Sequence, residues 1–320
     1  MPTVTKIALA LCALAAAAAP GLAAAQDAKV SIGISGWTGF APLTLAKEAG
    51  LFQKRGLDVT IKKIPQKDRH LAIASGDIQC AATTVETWIV WNANGVAATQ
   101  IFQLDKSYGA DGMVVKPGIQ KIADLKGKTV AASAPGTAPY FTLAWMLKKN
   151  GLTPKDVTVV NLEPQPAANA MIAGTSGVDA AMTYEPYLSA VRAKPEAGRI
   201  IATTLDYPMV MDTFGCTPQF LAQNPRAAKA LADGYFDAVA MIQAEPKKSF
   251  EIMGGDVKQT GDAFEASQKF LRWQDRAANQ RFFAGEHAQF SREAADLLME
   301  IGIIKQMPDM AKLADTQFIK

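Results

Sequence analysis

The chain has 320 residues, of which 49% are hydrophobic and 20% are charged, and its formal net charge is +3. This composition predicts a globular protein with enough chain for about two domains. It argues against a nucleic-acid-binding protein, because the sequence has no dense basic stripe interleaved with aromatic residues.

The N-terminal 25 residues have the pattern of a secretory signal peptide. Lys6 precedes the apolar run "IALALCALAAAAA", and the small residues Ala23 and Ala25 precede the predicted cleavage point. A membrane anchor is the alternative, but the apolar run is shorter than the roughly 20 residues that a bilayer span requires. We therefore expect residues 1–25 to be removed and the remainder to be exported to the periplasm.

Short strands then alternate with helices through most of the chain. A strand at 30–34 is followed by a turn and by a helix with Pro42 in its first turn and Gly50 at its end. From about Asn224 to the end, the pattern is helical. The alternation predicts an α/β protein with mostly parallel sheets and a helical C-terminal tail.

Two cysteines, Cys80 and Cys216, remain after removal of the predicted signal peptide. They could pair in an oxidising compartment. Both lie in apolar surroundings, however, so buried free thiols are the preferred interpretation.

A faint internal repeat links the two halves of the chain. The segments "SGDIQCAATTVETWI" and "SGVDAAMTYEPYL" each run from Ser-Gly through small apolar residues to a glutamate, Glu86 in the first and Glu185 in the second. Two matching carboxylates in two halves of one chain indicate a shared ligand.

Four segments together resemble the substrate-binding proteins of ABC importers, within the NMT1/THI5-like group that binds nitrate, sulfonates and taurine. They are "GWTGFAPLTLAKEAGLFQKRGLDVTI", "LAIASGDIQCAAT", "IADLKGKTVAASAPGT" and "MIAGTSGVDAAMTYEPYL". The resemblance implies a type II, Venus-flytrap fold with one lobe at 27–115 plus 213–320 and the other at 117–210. The crossovers would fall near 112–118 and 208–215. It also implies a monomer without a cofactor that closes on a small solute and delivers it to an inner-membrane permease and ATPase.

The candidate ligand-binding residues lie mainly in turns that follow strands, where ligands of such sheets bind. They are Trp37, Thr38, Thr84, Glu86, Trp88, Tyr108, Asp111, Gly136, Thr137, Tyr140, Tyr184, Glu185 and Asp212. Trp37 offers a flat wall. In the sulfonate and nitrate binders that the chain resembles, the loop that corresponds to Gly136 and Thr137 helps to hold the oxyanion, and a helix N-terminus suits that role.

Each glutamate has a purely structural alternative. Thr83 and Glu86 fit the spacing of a capping box, in which the glutamate bonds to a backbone N–H. Glu185 could merely balance the dipole of the helix that Pro186 begins.

The charge of these turns predicts the ligand. They contain Glu86, Asp111, Glu185 and Asp212 but no Arg or Lys, so a buried oxyanion would be disfavoured and paired N–H donors favoured. The sequence therefore predicts a small, planar, nitrogen-rich solute: guanidinium or an amidine first, then urea or an aminopyrimidine. Taurine, an alkanesulfonate or a nitrate-type anion is the alternative, since taurine also carries an ammonium group.

Two other classes of function are alternatives. An enzyme is not expected, because His70 and His287 lie near no apparent nucleophile and no metal-binding spacing occurs. The second alternative is a protein that presents its ligand to a membrane sensor, and the amino-acid sequence does not distinguish it from an importer component.

Overall fold

The computed structural model describes residues 28–320. The predicted signal peptide, residues 1–25, lies outside them. Within the described range, no helix combines the length and the apolar character needed to cross a membrane.

The strands form two sheets. The six-stranded sheet has the order β11-β4-β10-β3-β1-β2 and the five-stranded sheet the order β7-β6-β8-β5-β9. The strands are β1 (Ala28–Ile34), β2 (Leu57–Lys63), β3 (Cys80–Thr84), β4 (Thr99–Ser107), β5 (Asp111–Val115), β6 (Thr129–Ala132), β7 (Thr158–Asn161), β8 (Ala180–Tyr184), β9 (Arg199–Thr203), β10 (Met211–Cys216) and β11 (Leu271–Trp273).

Helices cover the sheets and form the C-terminal tail. They are α1 (Ala41–Glu48), α2 (Gln66–Ala74), α3 (Val85–Ala93), α4 (Ala138–Lys149), α5 (Pro164–Ile172), α6 (Tyr187–Arg192), α7 (Pro218–Gln223), α8 (Pro225–Ala244), α9 (Pro246–Asp256), α10 (Gly261–Gln268), α11 (Arg276–Arg281) and α12 (His287–Glu300). A π-helical segment, Phe282–Glu286, joins α11 to α12. The predicted α/β class and helical tail are confirmed.

Both sheets are mixed, rather than mostly parallel as the sequence predicted. The βαβ units give the parallel pairs β1–β2, β1–β3, β6–β7 and β6–β8. Strands next to the crossovers run the other way: β10 lies antiparallel between β3 and β4, and β5 lies antiparallel between β8 and β9. Parallel pairing is therefore confined to the strands that helices connect, because a returning crossover reverses the chain direction.

The chain changes sheets earlier than the sequence predicted. β4 ends at Ser107 in the first sheet, and β5 begins at Asp111 in the second. The predicted first lobe, 27–115, included β5, which instead pairs with β8 and β9. The return lies between β9 and β10, at residues 204–210. The apolar character of β5 suits either sheet, so the strand pattern alone did not locate the crossover.

The two lobes share buried contacts. One apolar cluster contains Trp88 and Val90 of the first lobe together with Phe141 and Met146 of the second. The crossovers are also joined, because the hydroxyl oxygens of Ser107 and Thr204 lie 2.6 Å apart. The lobes are therefore in contact both through this apolar cluster and through the crossovers.

A disulfide joins Cys80 and Cys216. The preference for free thiols was wrong. The two residues lie directly opposite each other on the antiparallel strands β3 and β10, although 136 residues separate them in sequence. Apolar surroundings are a property of both thiols and buried disulfides, so the sequence signal did not discriminate between them.

Candidate ligand-binding site

A small pocket lies between the lobes. The first lobe contributes residues that follow β1, β2 and β3, and the second contributes residues near β5, α4 and β8. The lining residues are Ser35, Trp37, Phe40, Gln66, Arg69, Thr84, Asp111, Ala138, Tyr184, Val210 and Asp212. The site therefore forms where strand ends from two sheets face each other, as expected for this type of sheet.

Two aromatic residues form a wall across the lobes. The rings of Trp37 and Tyr184 meet edge to face, with centroids 5.2 Å apart. Trp37 is buried, and its neighbour Thr38 is also buried but is not part of the pocket lining. The indole N–H of Trp37 lies beside the Asp105 carboxyl without completing a hydrogen bond.

Four carboxyl groups are buried at the site. We call Glu86, Asp105, Asp111 and Asp212 the acid cluster; each is at most 5% exposed. Asp212 of β10 lies opposite Asp105 of β4 and opposite Thr84 of β3. Directly opposite residues on antiparallel strands point to the same face of the sheet, so these side chains converge.

The capping alternative for Glu86 is wrong. Helix α3 has Thr84 as its N-cap, and no side chain caps its N-terminus. The hydroxyl of Thr84 instead lies 2.9 Å from that of Thr87. Within the described residues, neither carboxyl oxygen of Glu86 has a hydrogen-bond partner. The carboxyl group of Glu86 can therefore hold a proton or accept a hydrogen bond from another group.

Burial raises the pKa of every member of the acid cluster. The pKa of Glu86 rises to about 8 and that of Asp111 to about 7, with desolvation as the main cause. Desolvation also raises the pKa of Asp105 and of Asp212, and repulsion from neighbouring carboxylates adds to it. A carboxyl that keeps its proton at neutral pH can donate a hydrogen bond.

The expectation of a cleft without a cation is wrong. Arg69 of α2 lines the pocket and is only 1% exposed. Its Nε and Nη2 donate to the backbone oxygen of Ile64, and its Nη1 donates to that of Ala82. Burial lowers its pKa to about 10, so it remains cationic at neutral pH. The site thus has both signs of charge.

Gln66 joins the lobes at the edge of the pocket. Its Nε2 donates to the hydroxyls of Thr83, at 2.7 Å, and Thr87, at 2.9 Å. Its Oε1 accepts from the backbone N–H of Ala138, the first residue of α4, at 3.2 Å. That backbone N–H belongs to the helix N-terminus that the sequence predicted as an anion site, and here a side chain of the other lobe occupies it.

Glu185 is not a free acid in the pocket. Its carboxylate is paired with Arg192 of α6 and accepts from the backbone N–H of Ser189 at 3.0 Å. Arg192 also donates to the carbonyl of Gly109 in the first crossover. The prediction missed this pairing because Arg192 lies seven residues further on, at the end of α6, and meets Glu185 only through the placement of that helix.

Other predicted site residues lie away from the lining. Trp88 is fully buried and packs edge to face on Trp91, whereas Tyr108 is exposed and stacks under Arg272. Gly136 lies against Val90, and the Thr137 hydroxyl donates to Ala134 at 2.7 Å. Tyr140 is half-buried outside the lining. Of the predicted residues, Trp37, Thr84, Asp111, Tyr184 and Asp212 line the pocket.

Sequence reasoning missed Arg69 and Gln66, although a signal was present. The segment "IPQKDRH" follows the carboxyl end of β2, the same position relative to a strand as the predicted ligand-binding turns. No metal site accompanies the acid cluster, since residues 28–320 contain no group of three or more His, Cys, Asp or Glu arranged to hold an ion.

Two α/β lobes linked by two crossovers around a small polar pocket define a periplasmic binding-protein fold. The alkanesulfonate-binding protein SsuA from Xanthomonas axonopodis pv. citri, bound to MOPS, matches with a TM-score of 0.78 at 20% identity, over 92% of this chain and 100% of that chain. The nitrate-binding protein NrtA from Synechocystis PCC 6803 matches with a TM-score of 0.73 at 19% identity, over 91% and 86%.

The chain belongs to the NMT1/THI5-like family, whose model matches residues 37–249. The taurine-binding periplasmic protein of Escherichia coli (strain K12) is 27% identical over 235 residues, which cover 72% of each chain. The predicted family and two-lobed fold are confirmed.

Proposed function

We propose that this protein is the periplasmic solute-binding component of an ABC importer and that it captures a small aminosulfonate of the taurine type. The observation that carries the proposal is the presence of one buried guanidinium and several buried carboxyls around a single small pocket. A zwitterion brings one charge of each sign and therefore matches both.

Arg69 supports recognition of the acidic end. A guanidinium has five N–H donors, and three of its groups donate to the backbone oxygens of Ile64 and Ala82. One N–H on each terminal nitrogen remains, which suits two oxygens of a sulfonate. Because the backbone bonds hold the guanidinium in place, little side-chain entropy is lost on binding.

Asp111 and Asp212 support recognition of the amino end. Both line the pocket, and Oδ2 of Asp111 has no hydrogen-bond partner among the described residues. An ammonium group supplies three donors. Trp37 and Tyr184 would pack on the short carbon chain between the two ends. The site thus suits a ligand of a few heavy atoms.

The guanidinium-like solute predicted from sequence is the second candidate. Asp111 and Asp212 line the pocket with the single guanidinium of Arg69, and Glu86 and Asp105 are buried outside the lining. This excess of acids favours a net cation. Four other ligands fit less well: urea, an aminopyrimidine, a simple alkanesulfonate and nitrate. Each leaves either the guanidinium or the carboxyl groups without a charged partner.

A panel of four small ligands tests the proposal. We expect calorimetry on the mature chain to detect taurine and to find weaker binding of ethanesulfonate, which lacks the ammonium. We expect guanidinium to bind less tightly than taurine, and nitrate least, because neither matches both charges. Guanidinium binding with no response to taurine would replace the first candidate by the second; binding of nitrate alone would contradict both.

The cellular role follows from the same proposal. The protein would be exported by the segment at residues 1–25, act as a monomer without a cofactor, and dock in its closed form on a permease and its ATPase. We infer a binding role rather than an enzymatic one, because the groups around the pocket are arranged to match charges. Deletion of this protein should abolish taurine uptake, whereas a purely sensory role would leave uptake intact.

A further inference from the structure

The acid cluster has more negative charge than its surroundings can balance. It places Glu86, Asp105, Asp111 and Asp212 in one buried region, and Arg69 is the basic residue among the described residues that line the pocket. Four ionised carboxylates beside one guanidinium would leave a large uncompensated charge out of contact with water, which is strongly disfavoured.

The hydrogen-bonding of the cluster adds an independent observation. Within residues 28–320, both carboxyl oxygens of Glu86, both of Asp105 and Oδ2 of Asp111 have no hydrogen-bond partner. Buried carboxylates are normally satisfied by several donors. These oxygens therefore need either protons of their own or donors that arrive with a ligand.

The neighbouring groups supply no second positive charge. Glu185 faces Asp111 but is paired with Arg192. The Tyr235 hydroxyl lies near Asp105 and Asp212 and donates to the carbonyl of Leu104. Trp37, Thr84, Ser107 and Tyr184 also lie near the cluster or Arg69, and their side chains are uncharged at neutral pH. Glu163, near Arg69, is a further acid.

We propose that the acid cluster holds protons in the empty protein and releases them when a cationic nitrogen enters, so that capture exchanges protons for the ligand's charge. The O–H bond of a carboxyl breaks, its proton passes to solvent buffer, and the carboxylate left behind accepts an N–H from the ligand. The identity of the ligand in this exchange rests on the proposed function, whereas the protonation of the acid cluster does not. The raised pKa values of its members agree with this exchange.

Calorimetric titration of the mature chain with taurine, at neutral pH in phosphate and in Tris, tests the exchange. The two buffers differ in ionisation enthalpy, so the difference in observed heat counts the protons released. We expect about one proton per taurine, and an affinity that rises about tenfold per pH unit while the cluster is protonated. Ethanesulfonate should release none. Taurine binding with equal heats in both buffers would overturn the inference and leave the proposed function standing.

A measurement on the empty protein tests the protonated acid cluster separately from the proposed aminosulfonate ligand. We expect the infrared spectrum of the empty protein at neutral pH to show the C=O stretch of protonated carboxyl groups. Asp105→Asn and Asp111→Asn should weaken this band, whereas Asp58→Asn, at an exposed position, should not change it. An empty protein without this band would refute the inference whatever the ligand is. Absence of taurine binding with the band present would refute only the aminosulfonate.

Discussion

At the scale of single residues, Gly39 shows how closely the site is packed. A Cβ at this position would lie 2.3 Å from Oδ2 of Asp105 and 2.2 Å from Nε1 of Trp37. Its carbonyl also accepts a hydrogen bond from Trp273 at 3.1 Å, so the backbone cannot easily move away. A glycine here lets the backbone approach the acid cluster.

We expect Gly39→Ala to lower the free energy of unfolding by about 1–3 kcal/mol, as overpacking does, and to weaken taurine binding by displacing Asp105. Chemical denaturation and calorimetry measure the two effects. Gly255→Ala is the control, because a Cβ there meets no atom within 4 Å. Equal stability and affinity in Gly39→Ala and the control would contradict this packing.

Glu185 gives a second prediction at this scale. We expect Glu185→Gln to lower the free energy of unfolding by about 1.5–3 kcal/mol, the usual range for a hydrogen bond to a charged group, because it breaks the pair with Arg192. Taurine affinity should stay within a few-fold of the unmodified protein. A large loss of affinity at unchanged stability would return Glu185 to the ligand site.

At the scale of elements, α2 and α4 are coupled through one side chain. Gln66, the first residue of α2, is bonded to Thr83 and Thr87 in its own lobe and to Ala138 of α4 in the other. Another direct link between the lobes is the pair Lys148–Glu300, between α4 and the C-terminal end of α12. One link is at the pocket and the other is at the surface.

We expect Gln66→Leu to weaken taurine binding about fivefold, corresponding to about 1 kcal/mol for lost hydrogen bonds, and to enlarge the radius of gyration measured by X-ray scattering. Lys148→Ala is the matched control. Its pair is about half exposed, at 48% and 52%, and exposed pairs contribute little. If Lys148→Ala opened the lobes more than Gln66→Leu did, the surface pair would be the important link.

At the scale of the whole molecule, burying the acid cluster makes stability depend on pH. The pKa values of Glu86 and Asp111 rise from 4.5 and 3.8 to about 8 and about 7 in the folded protein. At a pH between the ordinary and the raised pKa of either group, the folded protein binds more protons than the unfolded chain. The free energy of unfolding therefore falls as pH rises through this interval.

We expect the melting temperature of the empty protein to fall between about pH 4 and pH 8, in the interval that these pKa values define. Asp111→Asn should reduce the slope, because it removes one of the shifted groups. Differential scanning calorimetry across this range provides the measurement. A melting temperature that rises toward neutral pH would mean that the cluster is ionised in the folded protein.

The sequence by itself determined the local architecture and the family. Strand–helix alternation and the segments around Trp37 and Tyr184 predicted the α/β lobes and placed part of the site, because period and turn chemistry are local properties. Only the tertiary structure decided the charge of the pocket, the disulfide and the role of Glu185. Arg69, Cys216 and Arg192 reach their partners through contacts between elements, and no pattern within a single element records such contacts.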